Sequence, residues 1–250
     1  MTAKRSAHER FPEVIAAAVR VFARDGYRTA HMSAVAREAG LSEAALYRYV
    51  GGKEDLFVLA IRHALLLEPL PGKDDPDGEF PLTAPPLAEM IRQARDFVAA
   101  EVPFGALADA LREDDPADPA GELTLIVREL FALEEQTAQA ADMIERSARE
   151  LPELADLLNA GLRRPVLDAL ASYLGNRAKT GALRRTPDTA ATARLVLETL
   201  TWFARHRHSD PYGAAIPSDL AQATAVDALL HALVPPKHLS GGYPNTEERP

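Results

Sequence analysis

The sequence predicts an all-α protein, and three observations carry that prediction. Apolar residues recur at helical spacing in nearly every segment. Proline and glycine cluster between those segments more than within them. No alternating, strand-like pattern persists, and no internal repeat is visible. At 250 residues the chain has room for one or two domains and a sizeable core.

In the first segment Phe11, Ile15, Ala18 and Phe22 share one apolar helical face. Pro12 suits the first turn, and Gly26 after Arg24-Asp25 can take the left-handed conformation that ends a helix. A second, short helix is expected over 32–39, with Val35 and Ala36 inward and Gly40 as its stop. Ser42 caps a third helix to about Val50, which Gly51-Gly52 breaks. Lys53 to about Glu68 makes a fourth, with Leu56, Leu59, Ala60 and Ala64 on one side.

Six prolines among residues 69–86 forbid a helix interior there and predict a linker or long loop. A second break falls at 114–119. Helices are expected over 87–101, 104–113, 122–148 and 152–180, the last broken near Gly161–Pro165. Thr186-Pro187-Asp188 signals the start of a helix running to His206. Ser218-Asp219 opens the final helix, which Pro235-Pro236 stops after Leu233. Residues 236–250 are polar, rich in Gly and Pro, and expected to be disordered.

Composition narrows the function classes. Cysteine is absent, so disulfides, thiolate nucleophiles and cysteine-ligated metals are excluded. A reducing cytoplasm is the expected location, and no apolar stretch approaches the ~20 residues that span a bilayer. Net charge is −9, but it divides unevenly: residues 1–63 hold 10 basic and 7 acidic residues, and the remainder is acidic. No Gly-x-Ser-x-Gly, His-Glu-x-x-His, Gly-x-Gly-x-x-Gly or P-loop pattern occurs, so no catalytic residue is expected. His206 and His208 could supply half a metal site, but lie more naturally at a helix C-terminus with Arg205 and Arg207. No metal or cofactor is implied.

Ala39-Gly40-Leu41-Ser42 joins two short helices into a helix-turn-helix. Gly40 allows the tight corner, and Leu41 and Leu46 fill the space beneath it. Ser42 caps the second helix and leaves its N-terminal half free to enter a DNA major groove. Tyr47 and Tyr49, two apart on a short helix, point about 200° apart and cannot both be core. Arg48 beside them can pair with guanine, clamp a phosphate or be solvated. Lys53 stands where the first turn of a helix favours a phosphate.

Residues 9–66 resemble the DNA-binding domain of the tetracycline-repressor-like (TetR) transcriptional regulators. The resemblance is carried by Phe22–Tyr27, Val35–Ser42, Leu46-Tyr47-Arg48-Tyr49 and Lys53–Leu56. It implies an N-terminal domain over 1–52, a connecting helix over 53–68, and a ligand-binding and dimerisation domain over 69–235, before the tail at 236–250. The implied activity is that of a ligand-responsive repressor binding an inverted-repeat operator in double-stranded DNA as a homodimer. A helical small-molecule-binding or adaptor protein that keeps the fold without DNA binding is the alternative. It is kept open by departures from the family pattern at Ala30, Ala44 and Ala45.

The candidate DNA-binding residues are Arg28, His31, Ser33, Arg37, Ser42, Ala44, Tyr47, Arg48, Tyr49 and Lys53. The resemblance places Tyr47 on a phosphate and leaves Tyr49 between phosphate contact and packing. It also implies an unidentified, largely apolar effector, for which Phe97, Phe104, Arg128, Phe131, Glu135, Met143 and Trp202 are candidate contacts. Most of these serve equally well as plain core. Leu195, Thr199, Trp202 and Phe203 on one helix, and Val226, Leu229, Leu230 and Leu233 on the last, are the candidate dimer interface. Ordinary intrachain core is the other explanation of those two stripes.

Overall fold

The computed structural model describes residues 7–67, 80–102, 104–113 and 116–239. The chain divides into two compact units: Met1–Ala100 with Gln136–Arg163, and Glu101–Glu135 with Arg164–Pro250.

In the first unit, α1 (Ala7–Asp25) is the central helix and buries the predicted face, Phe11, Ile15, Ala18 and Phe22. Around it pack α2 (Met32–Glu38), α4 (Lys53–Ala64) and α8 (Ala138–Ser147). Phe57 of α4 meets Phe22 edge to face at 5.0 Å, and Tyr27 at 4.7 Å. Such aromatic pairs favour their contact by about 0.5–1.5 kcal/mol beyond burial. α4 is buried more widely than its predicted stripe, since Phe57, Val58 and Ile61 also point inward. Its last helical residue is Ala64, and Leu65–Leu67 form a turn rather than the expected continuation to 68.

The helix expected from Ser42 to Val50 is a single turn, α3 (Glu43–Leu46). Tyr47–Tyr49 follow as turn residues, because the Arg48 N–H bonds to the Ala45 carbonyl and the Tyr49 N–H to the Leu46 carbonyl, three residues back. Val50 pairs with Leu82 in an isolated parallel bridge, so the end of the expected linker is ordered against this domain. Residues 68–79, the rest of that linker, lie outside the described residues.

α5 (Leu87–Glu101) and α9 (Pro152–Asp156) also belong largely to this unit. After α9 the backbone widens into a π-helical stretch, Leu157–Arg163, ahead of the kink expected at 161–165. Gly161 sits where a Cβ would lie 2.9 Å from Cγ of Arg95, so the arginine stem fills the space a side chain would need. The Ala155 carbonyl is bonded by the Asn159 side-chain amide at 2.9 Å.

The second unit contains α6 (Gly105–Arg112), α7 (Pro119–Gln136), α10 (Arg164–Thr180), α11 (Thr189–Ala204) and α12 (Ser218–Leu233). The expected single helix over 122–148 is two, α7 and α8, parted at Thr137. Asp188, rather than Thr186, caps α11, its Oδ1 accepting the Ala191 N–H at 2.7 Å. α10, α11 and α12 pack in sequence around Leu170, Leu174, Val196, Leu200 and Leu229.

One buried cation ties three helices of this unit together. Arg177 of α10 pairs with Glu122 of α7 through two hydrogen bonds of 2.8 and 2.7 Å. It also donates to the carbonyls of Ala110 and Glu113, both at 2.7 Å. Its side chain is 1% exposed, so these partners replace water almost completely. Tyr173 lies under the guanidinium, and burial, then the Glu122 charge, push its phenol above the usual tyrosine range.

The tail expected at 236–250 is ordered at its start, where Pro236–His238 make a 3₁₀ turn. Residues 240–250 lie outside the described residues.

Candidate nucleic-acid interface

Local chemistry builds the helix-turn-helix. α2 ends at Glu38 with Ala39 as its C-cap, and Gly40 takes φ +64°, the left-handed conformation that glycine adopts without strain. The Leu41 N–H then bonds back to the Ala36 carbonyl at 2.8 Å, closing the helix end. Ser42 is extended, and its Oγ accepts the Ala45 N–H at 3.2 Å, as expected of a cap. Leu46 is completely buried beneath the corner.

The start of α2 differs. His31 holds the cap position in extended conformation, but its side chain makes no capping bond. Ala30 is buried and has no hydroxyl to offer.

The structure separates the candidate residues by exposure. Arg28, His31, Ser33, Arg37, Ser42, Ala44, Tyr47 and Arg48 are exposed around the two helices and their joints. The two tyrosines point opposite ways, as their spacing requires. Tyr47 is 45% exposed, and Tyr49 is 8% exposed with its ring edge to face against Phe80 at 5.6 Å. Of the two roles left open for Tyr49, the structure displays the packing one: its ring lies in the core, covered by Phe80.

Lys53 is half-buried and already engaged. Its Nζ donates to the Arg28 carbonyl at 3.0 Å and lies 5.0 Å over the Tyr27 ring. Burial lowers its pKa from the ordinary lysine value, with the Glu150 charge acting the other way. Its role is partly structural, although an ammonium has three donors and only one is used here.

The end of α8 holds the same corner from another side. Ser147, fully buried, accepts the Tyr27 N–H at 3.0 Å, and Glu150 accepts the Arg28 N–H at 2.8 Å. Gly26, at φ +77°, lies so close that a Cβ there would stand 3.2 Å from Cγ of Arg146. Ser147 and Glu150 carry no sequence signal for this role, because their partners are more than a hundred residues away.

The candidate effector residues fall on both compact units. Met143 is buried in the core of the first unit, where Phe97 is 44% exposed. On the second, Phe131 is buried core, Phe104 is half-buried, Arg128 is exposed and Trp202 is partly exposed. Glu135, expected as a ligand anchor, is engaged by Arg207 at 3.3 Å and by the Ser218 hydroxyl. A hollow of about 250 Å³ at the end of α8 is lined by Asp142, Glu145, Arg146 and Arg149. Its charged lining differs from the apolar site expected for the effector.

The candidate dimer residues also divide. Leu195 is 57% exposed and Trp202 37%, seven residues apart on α11, with Thr199 between them. Phe203 and Leu230 are partly buried. Val226, Leu229 and Leu233 are already buried within this chain, so they form intrachain core rather than an open face. On α12 those three share the side that packs against α11.

Among the described residues no cluster of three or more His, Asp or Glu could hold a metal ion. No helix among them is long and apolar enough to cross a membrane. His206 and His208 lie in a short 3₁₀ turn, and the His208 ring nitrogens lie 2.9 and 3.2 Å from the buried Arg207 guanidinium.

Residues 14–60 match the bacterial regulatory proteins of the tetR family. The chain is 26% identical over 173 residues to the HTH-type transcriptional regulator HbdR of Aromatoleum sp. (strain CIB), covering 69% of this chain and 68% of that protein. Its fold is similar to a putative transcriptional regulator from Saccharomonospora viridis in complex with choline, with a TM-score of 0.52 and 17% identity over 90% of this chain and 97% of that one. It is also similar to SmeT of Stenotrophomonas maltophilia in complex with triclosan, with a TM-score of 0.50 and 16% identity over 96% and 98%.

Proposed function

We propose that this chain, a TetR-like DNA-binding transcriptional regulator, acts as a homodimeric repressor that an apolar small molecule releases from an inverted-repeat operator. The observation that carries the reading is the Ser42-capped corner, with Leu46 and Tyr49 buried beneath it and Tyr47 and Arg48 exposed above. In this reading Arg48 and Ala44 face base edges. Arg28, His31, Ser33, Arg37, Ser42, Tyr47 and a spare donor of Lys53 face phosphates and fix register.

DNA binding is assigned to 1–52, its link to 53–68, and effector binding and dimerisation to 69–235. Within the second unit, Phe104, Phe131 and Trp202 are the proposed apolar effector contacts, with Arg128 as the polar one. Two proteins of similar fold hold small molecules, choline and triclosan, which supports an effector without identifying it. The proposed location is the cytoplasm, and no catalytic role is assigned.

Dimerisation follows from the reading task. A single short helix contacts few base pairs, and a two-fold dimer reads two half-sites ~34–36 Å apart or a multiple of that. Release is a population shift, limited by the effector's preference for one dimer state. Complete switching from 99:1 to 1:99 needs about 5.5 kcal/mol.

Selection of bound duplexes from a random pool tests the reading, with Arg48→Ala run in parallel. The expected result is an enriched inverted repeat whose preference relaxes at one base pair per half-site in the variant, at a cost of about 1–3 kcal/mol. No enrichment at low salt by folded protein, with and without candidate apolar effectors, overturns it. The uncapped start of α2 and the donor-free Ala44-Ala45 pair would then favour the adaptor reading.

A further inference from the structure

We propose that residues 80–84 form a strap that positions the base-reading residue Arg48, making Phe80, Leu82 and Asp55 positioning residues for recognition. The inference rests on the DNA-binding function proposed above and adds to it residues outside the helix-turn-helix.

α3 is too short to be self-supporting. One helical turn cannot hold itself in water, since isolated helices under ~12–15 residues are marginal even in the best sequences. The reading side chain Arg48 lies beyond that turn, where the Arg48 and Tyr49 N–H groups bond three residues back. The backbone groups that follow need outside partners.

Residues 80–84 supply them. The Leu82 N–H donates to the Tyr49 carbonyl at 2.8 Å, and the Gly51 N–H donates to the Leu82 carbonyl at 3.2 Å. Asp55 of α4 anchors the far end, its Oδ1 accepting the Ala84 N–H at 2.8 Å. Phe80 anchors the near end, its ring edge to face with His8 at 4.8 Å, Phe11 at 5.4 Å and Tyr49 at 5.6 Å. Tyr49 and Val50 are thereby buried, and Arg48, directly before them, projects from a fixed base. The strap touches none of the exposed candidate phosphate groups, and Tyr49, which it does touch, is buried under Phe80, so its effect falls on discrimination between sequences rather than on attraction to DNA.

The test uses the full chain and two readouts. Amide exchange in the wild type is expected to show Gly51 protected well beyond an exposed loop; an unprotected Gly51 overturns the strap outright. Phe80→Ala and Leu82→Pro, which removes the N–H given to Tyr49, are then compared with Leu82→Ala, which keeps it. The expected result for the first two is a roughly tenfold fall in the ratio of operator to random-duplex affinity. Random-duplex affinity and the salt slope stay unchanged, because the phosphate contacts are untouched. Leu82→Ala retains the ratio.

An unchanged ratio in folded Phe80→Ala and Leu82→Pro overturns the proposal. So does a loss shared equally by operator and random duplex, which is what simple destabilisation produces. If Phe80→Ala fails to fold, Leu82→Pro and wild-type exchange decide. Failure of the wild type to enrich any duplex would instead sink the DNA-binding reading itself, and the recognition role of the strap with it.

Discussion

Ser147, in the last turn of α8, accepts the backbone N–H of Tyr27 at 3.0 Å across 120 positions of sequence. With Glu150 on the next N–H and Lys53 on the Arg28 carbonyl, it fixes the corner from which α2 departs. Ser147→Ala leaves a partly buried N–H without its acceptor. A loss of about 1–3 kcal/mol in urea denaturation is expected. An unchanged midpoint would mean that the hydroxyl adds nothing to the corner.

In the second unit, Arg177→Ala would strand the Glu122 carboxylate, whose side chain is 13% exposed. A cost of about 3–5 kcal/mol is expected, because an uncompensated buried charge remains. Replacing both partners together, Arg177→Met with Glu122→Leu, should cost less than the single change despite the lost bonds to Ala110 and Glu113. Denaturation midpoints of the three variants against wild type give the comparison. A double variant less stable than Arg177→Ala would contradict the account.

Tyr173 supplies a pH dependence with a definite sign. Its phenol titrates above the usual tyrosine range in the folded chain, chiefly through burial. Above about pH 10 the unfolded chain therefore binds fewer protons than the folded one at this site, and stability falls as pH rises. The slope approaches about 1.4 kcal/mol per pH unit from this residue alone. Denaturant titrations from pH 9 to 11 should show a shallower decline for Tyr173→Phe. Parallel declines in both proteins would remove Tyr173 as the cause.

The outward face of α11 makes the proposed dimer testable. Leu195→Glu sets a charge in the exposed stripe beside Trp202 and should give folded monomers by sedimentation, with weakened inverted-repeat binding. Leu229→Glu, on the buried side of α12, should instead damage the fold. A Leu195→Glu dimer as tight as wild type would move the interface elsewhere.

Much of the fold was legible in the sequence because its signals are local. The α1 stripe, the Gly26 and Gly40 stops and the Ser42 cap each depend on neighbours within a few positions. What was missed depends on distant partners. Tyr49 stood between two roles because Phe80, which settles its direction, belongs to a segment read as linker. Val226, Leu229 and Leu233 mark a buried stripe, but periodicity cannot say whether it is buried by this chain or by a second copy. The π-helical stretch at 157–163 escaped because a 3.6-residue period carries no sign of bonds reaching five residues. Ser147 and Glu150 look like ordinary residues near a helix end until the corner of Tyr27 is laid against them.

The single turn of α3 also bears on the order in which the molecule assembles. Four residues cannot nucleate a helix, and α3 is held against α2, with Leu46 buried in the core that α1 and α4 also build. Native contacts at Leu46 are therefore expected late, with φ-values near zero, while those of α1 and α4 come earlier. A nascent chain would complete its scaffold before it could tell one sequence from another.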